Sequence, residues 1–330
     1  MKLLVTGGAG YIGGVTAHQL VTAGHEVHVL DNLATGFREN VPAEATFHQM
    51  SVHDVAEILT AEAGFDGVLH FAASIEVAES VQNPDKYWHN NIEGTLALLR
   101  AIRAVRMPRL IFSSTGSMYT GDGTTAFDET AEVRPKNPYA ATKAAIDQMI
   151  AGECGASTTL GAASLRYFNA SGAVLTSDGV HLGERHDPES HLIPILLQAA
   201  TGERPRFTLF GTDYPTPDGT CIRDYVHVAD LAAAHLLALD AVRPGRHEIF
   251  NLGNGRGFSN REVIDTVREV TGSDFPVDIE ARRPGDPAAC VASSAKAHEQ
   301  LGWVPQKTEL SEIIGDAWRF HRSMLAPAVP

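Results

Sequence analysis

Cysteine is scarce in this chain of 330 residues, which has three: Cys154, Cys221 and Cys290. They are odd in number, scattered and without metal-ligand spacing, so a disulfide framework is excluded and a reducing compartment is indicated. Cys154 and Cys221 read as small buried hydrophobes. No metal is expected. Basic residues are also in deficit: 26 Lys and Arg stand against 40 Asp and Glu, a formal net charge of −14. That balance repels nucleic-acid backbones and anionic membrane surfaces, so neither is an expected partner. A few arginines inside a cleft can still hold an anionic small molecule, because they set the local field. No run reaches the ~18 apolar residues of a membrane span, and the start, MKLLVTGGAGYIGG, breaks into glycines too soon for a signal peptide. A cytoplasmic protein is expected.

What is present is a rhythm of short β-rich runs and longer helical patterns over the first two-thirds, the pattern of a parallel sheet covered on both faces. Strands are predicted at Lys2–Thr6, Glu26–Asp31, Thr46–Gln49, Gly67–Ala72, Arg109–Ser113 and Ala162–Phe168. Helices are predicted at Ile12–Ala23, Asp54–Ala63 and Pro84–Val105. The fold class is therefore α/β, a doubly wound parallel (Rossmann) sheet with ligands at the carboxyl ends of its strands. After about Ala170 loops rich in Gly, Pro, Asp and His separate shorter elements, with helices near Leu192–Thr201, Val228–Ala241, Asn260–Val270 and Glu309–Phe320. This divides the chain into a dinucleotide-binding domain, residues 1–170, and a smaller mixed α/β substrate domain, residues 171–330. A strand such as Glu248–Leu252 is a candidate to return to the main sheet.

Strand Leu3–Thr6 runs into Gly7-Gly8-Ala9-Gly10-Tyr11-Ile12-Gly13 and then a helix, the context that a phosphate-binding turn needs. Gly7 permits the tight turn, Gly10 lets the backbone approach a pyrophosphate, and Gly13 lets helix and strand pack closely. The helix N-terminus offers free N–H groups and partial positive charge to the anion. Asp31 closes the second strand at the interval expected of a residue that accepts hydrogen bonds from the adenosine ribose, and its charge opposes the extra phosphate of NADP. NAD is the expected cofactor.

Asn137-Pro138 reads as a helix N-cap followed by proline at the first helical position. Tyr139 and Lys143 then fall four apart on one face. A lysine ammonium beside a phenol favours the phenolate, and a positive nicotinamide ring adds to that shift. A tyrosine so tuned acts as a general base near neutral pH. Tyr-x-x-x-Lys alone is common on helices; after a nucleotide-binding half-sheet, and with Ser113-Ser114-Thr115 ending the preceding strand, it reads as catalytic.

These features, together with DNLATG at Asp31–Gly36, HFAA at His70–Ala73, NNIEGT at Asn90–Thr95, PYAATK at Pro138–Lys143, RYFN at Arg166–Asn169, ESHLIP at Glu189–Pro194, RDYVHVAD at Arg223–Asp230, NLGNG at Asn251–Gly255 and RRPGDP at Arg282–Pro287, resemble the extended short-chain dehydrogenase/reductase family. Within it the chain is most similar to the UDP-glucose 4-epimerases. The resemblance implies that Tyr139 removes the sugar 4-hydroxyl proton, Thr115 hydrogen-bonds or relays it, and Lys143 holds the nicotinamide ribose. It places Gly7, Gly10, Tyr11, Ile12, Gly13, Asp31, Asn32, Ser51, Val52, Phe71, Ala72, Ala73, Asn90, Ser113 and Tyr167 on the cofactor. It places Asn169, His191, Leu192, Phe207, Phe210, Arg223, Tyr225, Arg283, Asp286 and Cys290 on a UDP-sugar, with Arg223 and Arg283 gripping its pyrophosphate. A homodimer paired through helices Pro84–Val105 and Tyr139–Gly152 is also implied. The chain departs from the family's common pattern at Ser51, Ile75, Gly116-Ser117 and Thr120.

Two other readings stay open. A nucleotide-sugar dehydratase or decarboxylase shares the fold, and a dehydratase would carry Asp-Glu after Thr115, where this chain has Gly116-Ser117. A catalytically silent NAD-sensing regulator would have lost the tyrosine or the lysine, and both are present.

Overall fold

The computed structural model describes residues 1–121, 123, 126–283 and 285–325. The predicted strands appear as β1 (Lys2–Thr6), β2 (Glu26–Asp31), β3 (Thr46–Gln49), β4 (Gly67–His70), β5 (Arg109–Ser113) and β6 (Gly161–Arg166). All pair in parallel, in the order β6-β5-β4-β1-β2-β3, and strand His247–Asn251 joins as a seventh beside β6. The carboxy-terminal half thus supplies one edge of the sheet. Leu3, Leu4, Val5, Val68 and Leu69 have no exposure at all, which is why these strands are continuous apolar runs instead of alternating ones.

Two cores lie on the two faces. Helix α1 (Tyr11–Thr22) and helix Val228–Ala241 cover one, through Ala17, Leu20, Leu231 and Ala234. Helices α2 (Gly94–Val105) and α3 (Pro138–Ala156) cover the other, through Leu98, Ile102, Ile146 and Ile150. A third core joins α4 (Leu192–Thr201) to helices Asn260–Thr271 and Leu310–Leu325.

Three expectations are corrected. Strands β4 and β6 stop at His70 and Arg166, short of the predicted Ala72 and Phe168; the residues beyond have left the ladder and form the loops of the sheet's carboxyl edge. The helix predicted at Asp54–Ala63 is instead two short 3-10 turns, Val52–Glu57 and Ala61–Ala63. Threefold winding stacks Val52 over Val55, and both are buried against α2. The helix predicted at Pro84–Val105 is interrupted by a π turn, Trp88–Glu93. There Asn91 donates to the Ser74 carbonyl (3.0 Å) and Thr142 Oγ1 (3.0 Å), and Asn90 donates to Ser74 Oγ (3.1 Å). The wider winding turns both amides toward the loop after β4, as π turns at functional sites often do.

The carboxyl ends of β1 and β4 diverge at the topological switch point, and the glycine turn occupies it. Gly7 has φ +73°, and a Cβ there would lie 2.5 Å from Ala72 N; one on Gly13 would lie 2.3 Å from the Gly7 carbonyl oxygen. Gly13→Ala must therefore push α1 away from β1. The expected loss is roughly 1–3 kcal/mol of stability, the usual range for overpacking, together with loss of bound cofactor. Thermal melts and cofactor recovered after purification check this; a variant with wild-type melting and cofactor content would contradict it.

Candidate active site

Asp31 ends β2 beside the glycine turn, buried, with its two carboxylate oxygens accepting from Ala9 N (3.0 Å) and Leu33 N (2.8 Å). Burial raises its pKa and the two N–H bonds lower it, the net shift being upward. An ionised carboxylate has about four lone-pair sites, so two remain for hydroxyl donors. This fits the adenosine ribose, and the close approach of backbone at Gly7 and Gly13 fits a pyrophosphate. Asn32 accepts from Ala34 N, and Ser51 caps the 3-10 turn by accepting from His53 N. Phe71, Ala72 and Ala73 form the loop after β4, which the Asn90 and Asn91 amides hold at Ser74. The Tyr11 hydroxyl donates to the Gly172 carbonyl (2.6 Å), tying the glycine turn to the second half of the chain.

The catalytic candidates gather at the carboxyl ends of β5 and β6. Asn137 caps α3 by accepting from Ala140 N (2.8 Å), with Pro138 in its first turn. Tyr139 then stands in the first turn of α3, and Lys143 one turn on is buried, its Nζ donating to the Ser113 carbonyl (2.7 Å) and lying 4.7 Å from the centre of the Phe112 ring. Ser113 Oγ and Tyr167 OH are 2.5 Å apart. Thr115 Oγ1 accepts from Ser117 N (3.1 Å) and lies 2.9 Å from Ser117 Oγ.

Before any cofactor charge is counted, the chain's own groups shift the tyrosine upward. Burial pushes Tyr139 up to about 12; the Thr115 side chain pulls it down and the Glu76 carboxylate pushes it further up. Burial lowers Lys143 to about 8, against the opposing effect of Asp147. The lysine ammonium donates one of its three N–H groups to a carbonyl. The protein's own groups therefore hold Tyr139 protonated at neutral pH.

The candidate substrate residues lie on the second half of the chain. Strand Ile222–Arg223 pairs in parallel with Ala289–Cys290, so Arg223 and Cys290 are register partners. Arg223 donates to Asp286 (2.5 Å) and to the Ile222 and Pro287 carbonyls (2.8 and 3.0 Å). Arg283 is exposed, its guanidinium 4.1 Å from the centre of the Phe210 ring at the end of strand Phe207–Phe210. Asn169 donates to the Asp224 carbonyl (2.7 Å), and Tyr225 pairs with it in a two-stranded ribbon. His191 holds the N-cap position of α4, directly before Leu192, without a side-chain capping bond. Its Nδ1 lies 3.0 Å from Glu184 and 3.3 Å from Glu189. Burial opposes its charge, but the two carboxylates outweigh it and raise it to about 9.

Two residues beside the site, Asp147 and Glu76, were missed from sequence. Asp147 continues the Tyr139–Lys143 face by one more turn, buried, and accepts from Arg166 (2.7 Å) and Ser114 (3.2 Å). Its i, i+8 spacing from Tyr139 was the available signal. Glu76 accepts from Ser190 Oγ (2.6 Å), which links the loop after β4 to the start of α4; no local pattern marks it.

The model of the NAD dependent epimerase/dehydratase family matches residues 3–253. The chain is 53% identical to the UDP-glucose 4-epimerase of Streptomyces lividans over 326 residues, 98% of this chain and 96% of that one. It is 49% identical to that of Corynebacterium glutamicum over 320 residues, 97% and 95% of the two chains. The crystal structure of UDP-glucose 4-epimerase from Brucella ovis in complex with NAD superposes with a TM-score of 0.90 at 42% identity, covering 96% of this chain and 97% of that one. NAD is the cofactor that the glycine turn and Asp31 fit, and the chain belongs to the NAD-dependent epimerase/dehydratase family.

Proposed function

We propose that the protein inverts C4 of UDP-hexoses, interconverting UDP-glucose and UDP-galactose through a 4-keto intermediate. The observation that carries this reading is the gathering of Tyr139, Thr115 and Lys143 at the sheet's carboxyl edge, with Thr115 and Lys143 buried; Arg223 and Arg283 are the anion-binding residues in this reading. NAD, when bound, supplies a hydride acceptor and then a donor at the sugar carbon. The chain supplies the proton chemistry. Tyr139 takes the 4-hydroxyl proton, and Thr115 relays or steadies it. Lys143, which donates to the Ser113 carbonyl, meets the nicotinamide ribose in this reading.

Inversion needs the keto sugar to turn over while the nucleotide stays held, so binding energy belongs on the non-reacting end. Arg223 and Arg283 suit this task because planar guanidinium groups grip pyrophosphate oxygens in pairs. Asp286 keeps Arg223 oriented. His191, Leu192, Asn169, Tyr225, Phe207 and Phe210 complete the nucleotide-sugar wall in this reading. Gly116-Ser117 after Thr115 offers no acidic pair to expel the C6 hydroxyl, which disfavours a dehydratase. A cytoplasmic homodimer paired through the π turn with α2 and through α3 is part of the same proposal, and its mass in solution tests it.

Because no step requires cofactor release, the purified protein should carry NAD(H). Denaturing it and assaying the supernatant checks this, and recovery of NADP would overturn the Asp31 argument.

Tyr139→Phe keeps the ring and removes the base, so turnover of UDP-galactose should fall by about 10²–10⁴ while calorimetry shows UDP still bound. A nearly fully active variant would remove Tyr139 from the chemistry.

Substrate breadth turns on Cys290. By family resemblance this position lines the sugar pocket, where a bulky residue excludes a C2 N-acetyl group and a small one admits it. Cys290 is small, half-buried and beside Arg223. The protein should therefore also interconvert UDP-GlcNAc and UDP-GalNAc, and Cys290→Tyr should abolish that reaction while sparing UDP-galactose, by steric rejection. NMR of the products decides; a wild type inactive on UDP-GlcNAc, or a variant that loses both reactions equally, removes Cys290 as the gate.

A further inference from the structure

The segment between strand His181–Gly183 and α4 brings four ligand-type side chains to one point: Glu184, His186, Glu189 and His191. Each offers one ligand atom, and these atoms all lie within 4.8 Å of one another. His191 Nδ1 is 3.0 Å from Glu184 Oε1 and 3.3 Å from Glu189 Oε1. His186 Nδ1 is 3.6 Å from Glu184 Oε1 and 3.7 Å from Glu189 Oε2.

These separations have a specific meaning for His186. Its Nδ1 is buried and has no hydrogen-bond partner, because both carboxylate oxygens are too far for a good hydrogen bond. They are not too far for ligands that share an ion. Four N and O ligands about 2.0–2.2 Å from a tetrahedral zinc-sized centre stand about 3.3–3.6 Å from one another; the His186 separations of 3.6 Å to Glu184 and 3.7 Å to Glu189 Oε2 lie near that edge length, whereas His191 at 3.0 Å from Glu184 is at hydrogen-bond distance.

The surroundings fit as well. The Glu184 and Glu189 side chains are 10% and 3% exposed, so both carboxylates would gain from a cation that replaces water. The Glu189 carboxylate is fixed by the backbone N–H groups of His186 (3.2 Å), Ser190 (2.8 Å) and His191 (2.9 Å). Outer hydrogen bonds of this kind orient ligating carboxylates in metal sites. Two imidazoles with two carboxylates suit a borderline divalent ion, whereas calcium and magnesium want oxygen alone.

We propose that Glu184, His186, Glu189 and His191 form a binding site for a zinc-class divalent cation that pins this segment to the start of α4. The spacing Glu-x-His-x-x-Glu-x-His carries the site within eight consecutive residues. Whether or not the protein turns over UDP-sugars, the site is read by binding alone, so it stands or falls separately from the proposed activity.

The test uses the full-length, cofactor-bearing, tag-free protein, stripped with a chelator and titrated with zinc(II) by calorimetry and with cobalt(II) by visible absorption. The expected result is one equivalent bound, with the intense visible bands of tetrahedral cobalt. Loss of even an outer-shell partner typically costs about 10–100-fold in metal affinity, so His186→Ala should cost at least that. His89→Ala, on an exposed histidine of the π turn, should bind as the wild type does. Absence of a one-equivalent site, an octahedral cobalt spectrum, or equal weakening in both variants would overturn the proposal. If His186→Ala fails to fold by circular dichroism, the wild-type cobalt spectrum decides alone.

Discussion

Taking ionisable groups out of water at the carboxyl edge of the parallel sheet is the constraint around which the active groups are arranged. Tyr139, Lys143 and Thr115 sit where β5 and β6 end, with Lys143 and Thr115 only 3% and 4% exposed. Desolvation disfavours the charged form of each group, which is why the tyrosine stands at about 12 and the lysine at about 8. Moving the tyrosine from there to neutrality requires about 7 kcal/mol. One positive charge about 4 Å away supplies about 4 kcal/mol at an effective dielectric of 20. The scaffold therefore leaves the base dormant, and a charge that arrives with the oxidised cofactor would supply somewhat over half of that cost.

The same cost explains the ion pairs behind the site. Arg166 and Asp147 are both almost wholly buried and meet at 2.7 Å, and Arg166 also donates to the Tyr119 hydroxyl (2.8 Å). Such a pair adds little net stability over apolar packing, but removing one partner typically costs about 3–5 kcal/mol. Its value here is placement: Asp147 fixes the face of α3 that presents Tyr139 and Lys143. Asp224 does comparable work across the cleft. Burial raises its carboxyl to about 7, against the N–H groups of Ala292 and Asn254; they bind both oxygens and hold the strand that carries Arg223.

Much of this was legible in the sequence, and the parts that were not share a physical reason. All six main strands were marked to within two residues, the central ones as apolar runs because strands buried on both faces leave no room for polar alternation. The glycine turn was legible because a Cβ at Gly7 or Gly13 meets backbone. The π turn at Trp88–Glu93 was not, since its cause lies in bonds from Asn90 and Asn91 to a loop some 16 residues away in sequence. Nor was the state of Lys143: spacing put it on the same helix face as Tyr139, but only the fold shows that its ammonium is committed to the Ser113 carbonyl. The cluster at Glu184–His191 was not legible either, because alternate positions in a loop converge only when the chain folds back on itself.

The most direct measurement is the pKa of Tyr139 in the two redox states of the bound cofactor. Tyrosinate absorbance is titrated for the wild type and for Tyr139→Phe, and the difference isolates this one phenol from the other six tyrosines. The account predicts an apparent pKa at least about two units lower with oxidised than with reduced cofactor, since one nearby positive charge shifts a pKa by about 1–3 units. The same pKa in both states would contradict it, and would mean that the activation of Tyr139 comes from somewhere other than the charge of the cofactor.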